Sequence, residues 1–164
     1  IKNSEVDFMK RETIFLKIAV VIIGLPIAAV LLYLAYDLIF VPKTKAFVLF
    51  IPMLAVMYLS AIPYFIALFQ TTKLLSYIDQ QLAFSDLSVE ALKKIKRCAM
   101  SISVLFIVDL PFLFRIADID DAPGIMLFSL IIIFASIVIA VFAAVLQKLL
   151  TNALVIKSEN DLTI

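Results

Sequence analysis

The chain contains no histidine, one cysteine and only two glycines. Without histidine there is no H-E-x-x-H zinc site and no imidazole to act as general base. With two glycines there is no phosphate-cradling loop and no G-x-S-x-G nucleophile elbow. Cys98 stands alone, so an intramolecular disulfide is excluded. A non-enzymatic protein without cofactor is the expectation. Charge is also scarce, at 16% of 164 residues against about 25% in an average soluble chain. What fills the chain instead is apolar: 65% of residues are hydrophobic and the mean hydropathy is +1.16. No soluble domain of this size hides so much apolar surface.

That apolar content is gathered into four long runs. A helix needs about 20 apolar residues to cross the hydrocarbon core, since each residue rises only about 1.5 Å. Residues 14–36, 46–69, 98–117 and 125–146 meet this length. The first run is too long for the apolar region of a signal peptide, and no small-x-small cleavage site follows before Asp37, so it is read as retained. The stretch Ile1–Phe8 precedes Met9-Lys10-Arg11 and reads as an upstream extension. The predicted fold class is all-α: one membrane domain over residues 1–164, four transmembrane helices in a compact bundle, a cytoplasmic loop at 70–97 and a cytoplasmic tail at 147–164.

Lysine and arginine set the orientation, because cytoplasmic flanks carry an excess of positive charge. Lys2, Lys10, Arg11 and Lys17 precede or enter the first span; Lys73, Lys93, Lys94, Lys96 and Arg97 lie between the second and third; Lys148 and Lys157 follow the fourth. The opposite side holds Lys43, Lys45 and Arg115 beside Asp37, Asp118, Asp120 and Asp121. Both termini are therefore placed in the cytoplasm, in a cell membrane, and the net charge of +1 conceals this sidedness.

Between spans two and three, Leu74, Leu75, Ile78 and Leu82 keep a helical spacing against Lys73, Ser76, Asp79 and Gln80. This predicts an amphipathic helical extension of the second span. Phe84-Ser85-Asp86-Leu87-Ser88 breaks it, with Ser85 or Ser88 available as N-cap of a new helix and Phe84 opposite Val89 or Leu87 opposite Leu92 as a hydrophobic staple. The new helix carries Lys93, Lys94, Lys96 and Arg97 into the third span. These four are candidate contacts to anionic lipid, at about 1 kcal/mol per basic residue near such a surface.

Inside the spans, Ser129, Ser136, Ala140 and Ala144 form a stripe of small side chains, as do Gly24 and Ala28. Close helix packing is the usual role of such stripes. Pro26, Pro63 and Pro111 each remove a backbone donor and favour a kink. The sharpest anomaly is Asp109, about eleven residues into the third span. A carboxylate at that depth costs several kcal/mol unless it faces protein or water or takes up a proton, which makes it a candidate intramembrane functional residue. Arg115 lies about 240° around the helix from it; Ser60, Tyr58, Tyr64 and carbonyls freed by proline are the candidate partners. The acids Asp120 and Asp121 precede the fourth span, where negative charge suits the exposed N–H groups. Calcium needs six to eight oxygen ligands, and EF-hand spacing is absent here.

The segment from Phe84-Ser85 to Leu92-Lys93-Lys94-Ile95, the hairpin Asp120-Asp121-Ala122-Pro123-Gly124 and the ending Ile156-Lys157-Ser158-Glu159-Asn160-Asp161-Leu162-Thr163-Ile164 resemble the YoaS-like bacterial membrane protein family, a domain of unknown function (2975). The resemblance covers essentially Met9 to Ile164, and the terminal Glu-Asn-Asp-Leu-Thr-Ile is its most specific element. Asp109 departs from the small or apolar residue associated with that position. The resemblance implies a four-helix integral membrane protein with no established enzymatic activity, whose relatives are often encoded beside a small Cro-type helix-turn-helix regulator. It suggests a regulatory or interaction protein that binds or sequesters such a regulator. Glu159, Asn160, Asp161, Leu162, Thr163 and Ile164 are the candidate partner-binding residues, since an apolar-polar tail is able to dock on a groove or sheet edge. The alternative is a small transporter or ion-permeation protein built on Asp109. Partners are then the bilayer, the regulator and a second copy, with no direct contact to nucleic acid.

Overall fold

The computed structural model describes residues 2–40, 50–119 and 121–161. Their regular structure is four helices: α1 (Lys2–Phe40), α2 (Ile51–Asp79), α3 (Asp86–Ile119) and α4 (Gly124–Asp161). Each is long and apolar enough to cross a membrane. Among the described residues there is no strand. A backbone in lipid must satisfy its own hydrogen bonds, and the α-helix does so within one segment.

The helices outrun their apolar cores. α2 reaches Asp79, α3 already begins at Asp86, and α4 continues to Asp161. Within the segment at 70–97 only residues 80–85 are non-helical, between the expected continuation of the second span and the expected new helix after Ser85, and residues 147–161 of the tail are helix. The cause is the scarcity of helix breakers: the polar flanks are rich in Lys, Leu, Ala and Gln, which favour helix, and hold no glycine or proline. Of the apolar residues along the end of α2, Leu75 is buried while Leu82 is exposed.

Two helix ends are closed without glycine. Gln81 (φ 60°) and Asp121 (φ 49°) take the left-handed conformation. Behind Gln81, Leu82 N–H bonds to Tyr77 O at 2.8 Å and Gln81 N–H to Ile78 O at 3.1 Å, a Schellman motif. Behind Asp121, Ala122 N–H bonds to Ala117 O at 3.0 Å, the same long-range closure. Asp121 therefore terminates α3, where the sequence suggested a charge favouring the start of α4; Asp120 lies outside the described residues. Ser85 is the N-cap of α3, its Oγ accepting from Ser88 N–H at 3.4 Å and donating to Leu82 O at 2.7 Å. Phe84 stays exposed, so the staple is not formed.

Packing follows chain order. α1 rests on α2, α2 on α3, and α3 on α4; among the described residues α1 touches neither α3 nor α4, and α2 does not touch α4. The compact bundle expected from four spans is thus an open row. Nothing in lipid forces closure, because the apolar outer face of each helix is already in a good solvent and association needs small or polar residues at the seam. Those residues occur where the neighbours meet. Gly24 on α1 is buried, and a Cβ there would meet Leu68 Cδ1 at 3.0 Å. Ser129, Ile133, Ser136, Ala140 and Ala143 are buried on α4, whose sole neighbour is α3. Both small-residue stripes therefore serve packing within the chain.

Consecutive helices run antiparallel. Tyr58 donates to Leu31 O at 2.9 Å and Tyr64 to Ile23 O at 3.1 Å, which sets the register of α1 on α2. The short turn at 80–85 and the turn residues 121–123 do the same for the other two pairs. Both chain ends and the 80–85 turn thus lie at one end of the row, called here the terminal end. The 121–123 hairpin lies at the other.

Candidate functional site

Asp109 sits on the buried stripe of α3, in line with Ala99, Ser103, Leu113 and Ile116. The stripe exists because small and apolar residues recur every three or four positions from Ser88 to Ile116. Asp109 is only 2% exposed, and its Oδ1 is buried without a hydrogen-bond partner. Leaving a buried acceptor unmatched costs about 1–3 kcal/mol, more when it is charged. No counter-charge is near in sequence: α2 has no charged residue before Lys73, and α4 has none before Lys148.

The partners suggested by sequence are engaged elsewhere. Tyr58 and Tyr64 donate to α1, and Ser60, though buried, donates to Met57 O at 3.0 Å. Pro111 is two positions on, about 200° around the helix, on an exposed face. Both α2 and α4 pack against α3. Measured from the hairpin at about 1.5 Å per residue, Asp109 lies about 15 Å deep, between Ser129 at about 7 Å and Ser136 at about 18 Å. Ser129 Oγ is likewise buried and unpartnered. Ser129 and Ser136 are thus about 11 Å apart along α4, on either side of the depth of Asp109.

At the terminal end the structure shows a contact that sequence reasoning missed. Thr13 Oγ1 and Lys17 Nζ on α1 both donate to the Asp79 carboxylate at the end of α2, the lysine at 2.6 Å. The signal was present: Lys17 lies inside the first apolar run and needed an opposite charge, but it was counted as a flanking charge. This clasp joins two helices that the Tyr58 and Tyr64 bonds also link.

The basic cluster of α3 is less uniform than its composition. Lys94 Nζ pairs with Glu90 Oε1 at 2.8 Å, one turn apart. The Lys94 hydrogen bond and charge hold the Glu90 carboxyl below the usual carboxylate range. Lys93 and Arg97 are exposed and Lys96 half-buried, so these three carry the unbalanced charge.

At the far end of α4, Glu159 and Asn160 are exposed and the helix ends with Asp161. Leu162, Thr163 and Ile164 lie outside the described residues. A helical tail excludes pairing with a sheet edge through residues 159–161 and leaves the helix-in-groove mode. Leu149, Val155 and Ile156 are exposed along this extension, beyond Lys148. The structure does not bring the tail residues, the basic cluster and Asp109 into one site; the first two share the terminal end, and Asp109 lies within the row.

Four apolar helices, each long enough to cross a membrane, with most of the basic residues at the terminal end, define a small multi-span α-helical membrane protein. The chain belongs to the DUF2975 family, described as a protein of unknown function, whose profile matches residues 12–164. It is 52% identical over 164 residues, covering 94% of this chain and 99% of the relative, to the "Uncharacterized membrane protein YoaS" of Bacillus subtilis (strain 168). No solved structure matches the chain.

Proposed function

We propose that this protein is a regulatory interaction protein of the bacterial cytoplasmic membrane, with both termini in the cytoplasm, which binds or sequesters a small helix-turn-helix transcription regulator. The observation that carries the reading is the extension of α4 as a helix to Asp161, with Val155 and Ile156 exposed past the last basic flank of the span. An amphipathic helix with free apolar side chains is suited to a groove on a partner. Lys93, Lys96 and Arg97 hold the same end against anionic headgroups, and no catalysis is assigned. Deleting Ser158–Ile164 is expected to leave insertion intact and to abolish co-purification of the regulator with the detergent-solubilised protein. Undiminished recovery would remove the tail as the contact.

A second reading, ion permeation, is favoured by the buried, unpartnered carboxylate of Asp109. It requires flux into liposomes reconstituted with the protein, lost in Asp109→Asn. Equal flux from the variant and the native chain would end it.

A further inference from the structure

The exposed faces of α2 and α3 repeat one arrangement at the terminal end: a basic side chain stands above a run of exposed apolar ones. On α2, Lys73 Nζ lies 4.7 Å from the centroid of the exposed Phe69 ring, and Ile66 and Ile62, also exposed, continue that face towards mid-membrane. On α3, Lys93 and Arg97 are exposed, and Val104 and Val108 follow on the same face at helical spacing, exposed too. Counted from the 80–85 turn at about 1.5 Å per residue, Lys73 and Lys93 lie at about 11 and 12 Å, so the two cations are level on adjoining helices. Glu90 sees both of them. The hydrogen bond and charge of Lys94, at 2.8 Å, come first in lowering its carboxyl, and Lys93 and Lys73 add to the effect. Lys94 is thus taken by Glu90, whereas among the described residues Lys73, Lys93 and Arg97 pair with no carboxylate.

We propose that this face of α2 and α3 is a binding site for one anionic phospholipid of the adjoining leaflet, its phosphate held between Lys73 and Lys93 and its acyl chains lying along Phe69, Ile66, Val104 and Val108. The order of the chemistry selects the occupant. Cations at headgroup level with apolar side chains directly beneath match an amphiphile of negative charge, and neither a soluble anion nor an uncharged lipid satisfies both parts. Arg97, one turn further along α3 than Lys93, donates to oxygens of the same headgroup. The site rests on the reading that basic residues at this end meet anionic headgroups, and narrows it. Lys73 joins from α2, Lys94 is set aside because Glu90 holds it, and Lys96 is set aside because it is half-buried about 100° around α3 from Arg97. A seated lipid bridges α2 and α3, and regulator docking plays no part in its binding.

The test reconstitutes the full chain in nanodiscs of phosphatidylglycerol and phosphatidylcholine, in equal amounts and with the same acyl chains. The protein is then released into detergent and weighed intact, so that retained lipid is counted by headgroup. Phosphatidylglycerol is expected to be retained at least several-fold over phosphatidylcholine. Lys73→Gln and Lys93→Gln should each cut that preference about fivefold, and Lys148→Gln, which removes an exposed cation of α4 at the same end, should leave it unchanged. Equal loss in all three variants overturns the site while leaving a diffuse attraction of the basic end to anionic lipid; no preference in the native chain overturns both. Displacement of the retained lipid by excess inorganic phosphate means that the apolar faces contribute nothing, and it also overturns the site. Lys73→Arg keeps a cation over the Phe69 ring and is expected to retain the preference, so a loss in Lys73→Gln is not mistaken for a fault in folding.

Discussion

Gln81 occupies a conformation that costs an L-residue about 1–2 kcal/mol and glycine almost nothing. It holds that position because the Schellman closure over Tyr77 and Ile78 needs a left-handed residue there. Gln81→Gly is expected to raise stability by about 1 kcal/mol, read as a higher unfolding temperature in detergent; a lower temperature would contradict the assignment of the cap. The sequence hid this stop because the usual mark of a helix end, a glycine just past the last turn, is missing from both turns. Ser85, by contrast, was legible: a hydroxyl before an apolar-periodic run is a helix start, and Ser85 Oγ accepts the expected N–H. Asp109 was legible as an anomaly from its depth alone. Its surroundings were not, since Tyr58, Tyr64 and Ser60 are equally plausible partners in a one-dimensional reading and only the packing order shows where they donate.

Among the elements, α1 is attached by one flank. Gly24 brings it close to α2, two tyrosines bond to its carbonyls, and the Lys17–Asp79 clasp fixes its terminal end. Lys17→Met removes the ammonium from the part-buried Asp79 carboxylate, which keeps its Thr13 hydrogen bond, and is expected to cost about 1–3 kcal/mol. Adding Asp79→Asn removes the carboxylate charge, so the double variant should recover part of the loss. Thermal unfolding of the three variants distinguishes this from simple additivity, which would show the pair to be uncoupled. Helix existence was readable from length and apolarity, and the spacing of Leu74, Leu75 and Ile78 and the Ser85 cap also marked 70–79 and 86–97 as helical. The extent of α4 was not legible: hydropathy reports where lipid ends, and the backbone continues as helix through 147–161 because no breaker stops it.

Across the whole molecule, four apolar runs identify the membrane environment but leave the order of contacts open. A row and a closed bundle bury equally apolar helices, and in lipid the choice falls to a few seams: Gly24 against Leu68, and Ser129, Ser136, Ala140 and Ala143 against α3. The antiparallel row gathers Lys17, Lys73, Lys93, Lys94, Lys96, Arg97 and Lys148 at one end, together with the end of α4. The account rests on that end facing the cytoplasm, where basic residues meet anionic lipid and a transcription regulator can be reached. The lone cysteine makes the claim measurable. In a Cys98→Ser background, Ser158→Cys is treated with a membrane-impermeant maleimide in intact cells and again after permeabilisation. Labelling only after permeabilisation is the expected result; labelling of intact cells would place the tail outside and contradict the proposed function.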